Sequence, residues 1–170
     1  VGQLIAHAIE HGCREILLGL GGSATNDGGC GCAAALGVKF YDQLGNEFVP
    51  VGLTLAQIHK IDCSSAQQRL QGMHITVMCD VDNPLYGSTG AAYIFAPQKG
   101  ADENMVTLLD EGLKKMDIAI QASLNRSVAE LPGAGAAGGM GGGCVAFLGA
   151  ELKSGIECVL DTVGFVAILR

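Results

Sequence analysis

The feature that most constrains the fold is a short apolar run that leads directly into a polar, glycine-rich segment. Residues 16–20 (Ile-Leu-Leu-Gly-Leu) form a continuous apolar stretch, which is typical of a strand buried on both faces. Residues 21–27 (Gly-Gly-Ser-Ala-Thr-Asn-Asp) combine flexible backbone with side chains that favour helix N-caps. The alanine-rich run 29–36 then predicts a tightly packed helix that ends at Gly37. A buried strand, a loop and a helix in this order indicate an α/β domain.

The apolar patterning of the remaining chain predicts further helices and strands of the same class. It predicts helices over residues 3–11 and 144–148, and one of about five turns that Asp102 caps. Over residues 55–62 it predicts a short helix that leads into a strand. It predicts strands over residues 38–41, 47–49 and 73–79, the first two as a hairpin, and a strand edge at 159–160. Residues 62–66 contain side chains that favour turns, and the many glycines of residues 131–143 predict a loop. A last helix is predicted to begin within residues 163–169. We therefore expect a single α/β domain over residues 1–170, with a mixed sheet flanked by helices and glycine-rich loops at strand ends.

Composition and charge exclude several classes of protein. Glycine supplies 26 of 170 residues, but there is no Gly-X-Y period and only four prolines, which excludes collagen and proline-rich linkers. A net charge of -7 and an aromatic share of 5% argue against nucleic acid as a partner. The sequence contains neither an uninterrupted apolar stretch of about 18 residues nor a basic leader, which predicts no membrane span and no signal peptide. We expect a cytoplasmic protein that binds neither nucleic acid nor membranes.

The cysteines and histidines do not form a recognisable site in the sequence. The seven cysteines lie mostly within apolar runs, which predicts buried thiols in a reducing compartment. Cys30 and Cys32 form a C-x-C pair with no second pair at zinc spacing, which argues against a zinc site. The four histidines fall in separate elements and are assigned no catalytic role: His7, His11, His59 and His74.

The first candidate site is the loop after the strand at residues 16–20. At a strand-to-helix junction, free N–H groups and the helix dipole favour an anion such as a phosphate or a carboxylate. The loop matches neither the Walker A spacing, nor the dinucleotide fingerprint, nor the nucleophile elbow. A tight turn that lets strand and helix pack closely is the structural alternative. The candidate residues are Gly21, Gly22, Ser23, Thr25, Asn26 and Asp27.

The second candidate site follows the strand predicted over residues 73–79. Asp80 and Asp82 come directly after it, where α/β proteins place ligand sites. Their carboxylates suit Mg²⁺, or a general base acting on a hydroxyl group. An Asx turn is the structural alternative for Asp82. Further on, Lys99 precedes a predicted helix and can neutralise a phosphate, although a solvated lysine is the alternative.

The third candidate site is the glycine tract that precedes the predicted helix at 144–148. Its glycines allow close approach of the backbone to a ligand, and the alternative is a mobile lid or hinge.

Three segments taken together resemble the type 1 family of bacterial glycerate kinases. They are GLGGSATNDGG at residues 19–29, CDVDNPLYGSTGAAYIFAPQKGA at 79–101 and PGAGAAGGMGGG at 132–143, and the resemblance extends from about residue 3 to 169. One departure is Ala96, where the family usually has glycine. The resemblance implies part of a longer two-domain α/β kinase, in which this chain is the inserted domain plus flanking segments. The start at Val1 and the end after an apolar run are expected for such a central fragment.

The resemblance also implies substrates and residue roles. The expected reaction is ATP-dependent phosphorylation of D-glycerate to 2-phosphoglycerate with Mg²⁺. Asp80 and Asp82 would bind the metal or activate the hydroxyl group, and Lys99 would neutralise phosphate charge. The loop at 21–27, with Asn83 and Gln98, would bind the acid or the transferring phosphate. Four glycines would approach the nucleotide: Gly135, Gly138, Gly139 and Gly141.

Other functions remain open at this point. The fragment is alternatively a folded binding or assembly module without activity of its own, and a homo-oligomer is compatible with the sequence. Phosphorylation at the 3-hydroxyl, or binding of a sugar acid without any kinase activity, are further alternatives.

Overall fold

The structure, a computed structural model, describes residues 1–165. Two three-stranded sheets are surrounded by helices. The strands are β1 (Glu15–Gly19), β2 (Lys39–Tyr41), β3 (Glu47–Phe48), β4 (Lys60–Asp62), β5 (His74–Met78) and β6 (Glu151–Lys153). The α-helices are α1 (Gly2–Glu10), α2 (Cys30–Ala35), α3 (Ser64–Arg69), α4 (Ala91–Phe95), α5 (Glu103–Leu124), α6 (Ala136–Leu148) and α7 (Gly155–Thr162), with 3₁₀ helices at Gly52–Gln57 and Pro97–Lys99.

The first sheet is parallel and has the order β1-β5-β6. The prediction that the strand at residues 16–20 is buried on both faces is wrong, because β1 is an edge strand in the described residues: Ile16 and Leu18 pack against the core, whereas Leu17 on the other face is 52% exposed. Gly19 at the end of β1 lies opposite Met78 at the end of β5, and Met78 in turn lies opposite Lys153 at the end of β6. The carboxyl ends of all three strands therefore meet at one edge of the sheet, and the loops that follow them emerge together. This is the edge at which α/β proteins bind their ligands.

The second sheet is antiparallel and has the order β3-β2-β4. The predicted hairpin is confirmed, and its turn is held by the Asp42 carboxylate, which accepts hydrogen bonds from the N–H groups of Leu44 and Asn46. The α/β class is also confirmed. The described strands do not form the expected mixed sheet, because the parallel strands and the antiparallel strands pair in two separate sheets.

One hydrophobic core joins the two sheets through α5 and α6. The predicted long helix is confirmed as α5, and the Asp102 carboxylate caps it by accepting a 2.8 Å hydrogen bond from the Met105 N–H. The 3₁₀ helix Gly52–Gln57 packs closely on α5 because Gly112 has no side chain: a Cβ there would lie 3.2 Å from the Cβ of Leu55. On the other side, the rings of Phe40 in β2 and Phe147 in α6 meet edge to face with centroids 5.5 Å apart.

Several short elements differ from the prediction. The segment 131–143 is not wholly a loop, because α6 begins at Ala136, although residues 137–139 have left-handed backbone angles. Residues 159–160 lie in α7 and not in a strand, residues 64–69 form α3, and β6 and α4 were not predicted. Apart from α6, each of these elements is too short for its own pattern to determine it, so packing against the larger elements decides its conformation. The helix predicted within residues 163–169 extends beyond the described residues.

The structure bears out the buried thiols for most of the cysteines. Cys30, Cys63, Cys144 and Cys158 are buried, whereas Cys13 is exposed. Burial raises the pKa of Cys144 to about 12 and that of Cys63 to about 11, so both thiols are neutral at physiological pH. Of the helices in residues 1–165, none is both long enough and apolar enough to cross a bilayer.

Candidate functional site

The three candidate segments meet at the carboxyl edge of the parallel sheet. The Gly28 N–H donates a 3.0 Å hydrogen bond to the carbonyl oxygen of Gly138, which joins the first segment to the third. The Gly135 N–H donates a 2.9 Å hydrogen bond to the carbonyl oxygen of Asn83, which joins the third segment to the second. Segments that are far apart in the chain therefore build one site.

A small cleft of about 140 Å³ lies where these segments meet, and we call it the glycine cleft. It is lined by Leu20, Gly21, Gly22, Ser23, Val81, Phe95, Gln98, Lys99, Ala136 and Ala137. The sequence had pointed to Gly21, Gly22, Ser23, Gln98 and Lys99 but not to the other five. A larger depression of about 490 Å³ lies against β1 and β5, and it contains no residue of the three segments.

Backbone and charge both suit an anion in the glycine cleft. A Cβ at Gly21 or Gly22 would meet no atom within 4 Å, so the backbone at both residues faces open space. The Lys99 ammonium reaches this loop and donates a 2.6 Å hydrogen bond to the carbonyl oxygen of Thr25. Burial lowers the pKa of Lys99, and the nearby Asp27 carboxylate opposes that shift. A partly desolvated ammonium gains more from an anionic partner than a fully solvated one does.

The sequence predicted that the N-terminus of α2 is free to bind that anion. In the structure it is not free. The Asp27 carboxylate occupies it and accepts hydrogen bonds from the N–H groups of Gly29 (3.0 Å) and Gly31 (3.1 Å). A second negative charge at that point would be repelled. The prediction of a free helix end is therefore wrong, and the backbone that faces open space lies earlier in the loop, at Gly21 and Gly22.

Asp80 and Asp82 flank Val81 in the sequence. Val81 lines the glycine cleft, but neither aspartate does. Asp80 accepts a 2.8 Å hydrogen bond from the Gly155 N–H, the first residue of α7, and so fixes the start of that helix. Asp82 is exposed. Among residues 1–165, no three histidine, cysteine or acidic side chains cluster as a metal site. Mg²⁺ needs only one or two protein carboxylates when substrate phosphates complete its shell, so the donor set fits this ion.

Asn83 and Gln98 have different surroundings. The Asn83 side-chain amide donates a 2.8 Å hydrogen bond to the carbonyl oxygen of Thr89 and so holds the loop that follows β5. The side chain of Gln98 is exposed and lines the glycine cleft beside Lys99. Substrate binding therefore remains a direct prediction for Gln98, whereas Asn83 has a structural role in the observed loop.

The four glycines predicted to approach a nucleotide are buried against other parts of the protein. A Cβ at Gly139 would lie 2.8 Å from the Leu113 side chain. At Gly135, Gly138 and Gly141 it would overlap a backbone carbonyl oxygen. The structure thus gives these glycines a packing role, against the expectation that their backbone faces a ligand. Their contact with a nucleotide stays a prediction.

Ala137 is a cleft residue that the sequence did not reveal. Its φ of +52° is rare for a residue with a Cβ, and Gly138 and Gly139 continue the left-handed backbone at +70° and +89°. This run turns the chain into α6 and brings Ala136 and Ala137 to the glycine cleft. The only signal in the sequence is that Ala137 lies within a tract of glycines.

A second cleft of about 410 Å³ shares Lys99 with the glycine cleft, and we call it the apolar cleft. It is lined by Ala24, Asn26, Val51, Gly52, Leu53, Ala96, Lys99, Gly100, Ala101, Met105 and Leu109. Asn26 is 9% exposed, and neither its amide nitrogen nor its amide oxygen has a hydrogen-bond partner among the described residues. Buried polar atoms without a partner are rare in native proteins.

Known proteins are similar to this chain in both sequence and fold. A sequence model described as "Glycerate kinase family" matches residues 1–170. A glycerate kinase of Bacillus cereus is 50% identical over 96% of this chain and 43% of its own length. A glycerate 2-kinase of Escherichia coli is 52% identical over 93% of this chain and 42% of its own length.

A solved structure agrees with these relatives. A crystal structure of a protein assigned as glycerate kinase 2 from Salmonella typhimurium LT2 superposes with a TM-score of 0.93 and 46% identity, over 98% of this chain and 44% of that one. The chain thus spans less than half the length of the relatives it matches. Because the family model matches the whole chain and relatives of about 50% identity cover almost all of it, this chain belongs to the glycerate kinase family.

Proposed function

We propose that the whole protein transfers a phosphoryl group from ATP to the 2-hydroxyl of D-glycerate, and that the glycine cleft binds the reacting end of the substrates. The observation that carries this proposal is the Lys99 ammonium beside the open backbone of Gly21 and Gly22, at the carboxyl edge of the parallel sheet. The names of the relatives support the reaction, and the name of the Escherichia coli relative supports the 2-position.

Phosphoryl transfer depends on positioning and on neutralisation of charge more than on covalent chemistry. In the proposed arrangement Lys99 neutralises the anion, while the N–H groups of Gly21 and Gly22 and the hydroxyl of Ser23 orient it. The glycine cleft, at about 140 Å³, is smaller than the roughly 300–1,000 Å³ of typical ligand pockets. It therefore suits a glycerate molecule or a single phosphoryl group, and not a whole nucleotide.

The acidic residues complete the proposed mechanism. Asp82 is exposed and lies next to the cleft residue Val81. In the proposed mechanism the Asp82 carboxylate accepts the proton of the attacking hydroxyl group. Asp80 would hold Mg²⁺, which supplies further neutralisation of the phosphate charge. The hydrogen bond from Gly155 keeps the Asp80 carboxylate in place.

The test is an ADP-release assay with D-glycerate and MgATP on the 170-residue chain and on the whole protein, with the product identified by ³¹P NMR. We expect 2-phosphoglycerate from the whole protein. A 3-phosphoglycerate product would overturn the proposed position of transfer. Binding of glycerate by the whole protein with no release of ADP would identify a sugar-acid binding protein instead. An active whole protein with an inactive 170-residue chain would identify the chain as a binding module within the enzyme.

A matched pair of lysine variants tests the role of Lys99. Lys99→Ala should lower kcat by about 100-fold or more, because loss of a charge that stabilises the transition state typically has an effect of this size. Lys115→Ala removes the same charge from an exposed position on α5 and should leave kcat unchanged. Equal kcat in the two variants would refute the role of Lys99.

A further inference from the structure

We propose that the apolar cleft binds the adenine base of the nucleotide and that the Asn26 amide pairs with the edge of that base. This inference rests on the proposed kinase function, because it names the subsite for the phosphoryl donor. It also separates the two substrates, with the base on one side of Lys99 and the acid on the other.

The size and lining of the apolar cleft suit a flat, weakly polar ring. Its volume of about 410 Å³ lies within the roughly 300–1,000 Å³ of ligand pockets, whereas the glycine cleft is too small for a nucleoside. Aliphatic side chains from two elements form its walls: Val51 and Leu53 at the 3₁₀ helix Gly52–Gln57, and Met105 and Leu109 on α5. Such carbon surfaces pack well against both faces of a purine.

The Asn26 side chain supplies the specific polar contact that such a ring needs. Asn26 is buried and lines the cleft, and both polar atoms of its amide are buried without partners among the described residues. A rotation of the side chain toward the cleft would bring the amide to a bound ring. An amide presents one donor and one acceptor side by side, which matches the N6 donor and N7 acceptor of adenine. Guanine presents two acceptors, O6 and N7, on the same edge, so the amide would favour adenine. A bound adenine would therefore satisfy two groups that are otherwise unpaired.

Lys99 connects the apolar cleft to the reacting centre. Its side chain lines both clefts, and it is held at their boundary by the hydrogen bond to the carbonyl oxygen of Thr25. A nucleotide with its base in the apolar cleft would place its anionic phosphates toward this ammonium. The phosphates would then point toward the glycine cleft, where the acceptor is proposed to lie.

A pair of tryptophan substitutions on one helix tests the occupancy of the apolar cleft. Met105 lines the cleft and Leu108 does not, yet both lie on α5 and are 49% exposed. Met105→Trp should weaken ADP binding to the whole protein by about tenfold or more in isothermal titration calorimetry, equivalent to about 1.4 kcal/mol. Leu108→Trp should leave ADP binding unchanged. The KM for D-glycerate should be the same in both variants.

A second variant tests the pairing with the base. Asn26→Leu replaces the amide with a side chain of similar size that makes no hydrogen bonds. Because a good paired contact discriminates between bases by about 5- to 150-fold, this variant should lower the preference for ADP over GDP by a factor in that range. Tripolyphosphate, which has no base, should bind equally well to the wild type and to Asn26→Leu.

The outcomes separate this inference from the proposed function. Equal ADP binding by Met105→Trp and Leu108→Trp, or an unchanged preference for ADP in Asn26→Leu, would overturn the inference even if D-glycerate is still phosphorylated. Loss of ADP binding in Met105→Trp, with no phosphorylation of glycerate by the wild type, would support the inference and refute the function. If Met105→Trp lowers the melting temperature, Leu53→Trp blocks the opposite wall from a position that is 68% exposed. A rise in the KM for D-glycerate alone would show that the acid occupies the apolar cleft and would overturn the inference.

Discussion

Two glycine-to-alanine substitutions should separate glycines that pack from glycines that face a ligand. Gly22 and Gly138 both have left-handed backbone angles, with φ of +55° and +70°. A Cβ at Gly22 would meet no atom within 4 Å, whereas a Cβ at Gly138 would lie 2.7 Å from the Cα of Asn26 and still closer to the Thr25 carbonyl oxygen. The pair therefore shares the backbone strain and differs in the steric overlap.

The structure gives the expected size of each effect. The left-handed angle alone lowers the free energy of unfolding by about 1–2 kcal/mol in either alanine variant. At Gly138 the chain must also move by about 1 Å, because carbon atoms in contact are normally about 3.5–4.0 Å apart. The hydrogen bond between the Gly28 N–H and the Gly138 carbonyl resists this movement. Overpacking of this kind adds about 1–3 kcal/mol, so Gly138→Ala should cost about 2–5 kcal/mol in total.

The assays are urea unfolding followed by circular dichroism and steady-state kinetics with D-glycerate on the same whole-protein variants. Gly138→Ala should have the lower unfolding midpoint at an unchanged m-value. Gly22→Ala should have the larger rise in KM, because its new methyl group enters the glycine cleft. Equal stability of the two variants would refute the packing role of Gly138. A normal KM in Gly22→Ala would refute the ligand-facing role of Gly22.

Two further predictions concern the core and the pH dependence. Phe147→Ala should lower the free energy of unfolding by about 3–5 kcal/mol, because the ring is 2% exposed and packs against Phe40; a loss below 1 kcal/mol in urea unfolding would contradict this. The lowered pKa of Lys99 means that its ammonium loses its proton at a lower pH than an ordinary lysine, whose pKa is about 10.4. The KM for ATP should therefore rise as the pH approaches about 10.4 from below, because Lys99 loses its charge. Lys99→Arg keeps the positive charge at this pH and should remove the rise. Identical plots of KM against pH for the wild type and Lys99→Arg would rule out Lys99 as the source of the rise.

The sign of the same pKa shift has a consequence for stability. Because burial lowers the pKa of Lys99 in the folded state, the unfolded chain binds more protons in the alkaline range between the two pKa values. The contribution of Lys99 to the free energy of unfolding is therefore unfavourable at neutral pH. That penalty is relieved as the pH rises through the folded-state pKa.

The sequence by itself determined the elements whose pattern is long or unambiguous. The apolar runs of β1 and β5, the hairpin of β2 and β3, and the five-turn periodicity of α5 with its Asp102 cap are all where the pattern predicts them. In β5 and α5 the burial pattern repeats within the element, and in the hairpin the turn residues set the pairing, so local residues carry the information. The three glycine-rich segments were also identified from the sequence, because parallel strands place the loops that follow them at one edge.

Only the tertiary structure decided what the individual residues in those segments do. The structure shows that Asp27 and Asp80 each accept hydrogen bonds at the start of a helix, which their spacing along the chain did not reveal, while their contact with a ligand stays a prediction. Gly22 and Gly138 look alike in sequence, yet one faces open space and the other meets the backbone of Thr25. The unpaired amide of Asn26 and the strained angle of Ala137 likewise have no local signature. These properties depend on what a distant segment places beside each residue, and spacing along the chain does not encode such contacts.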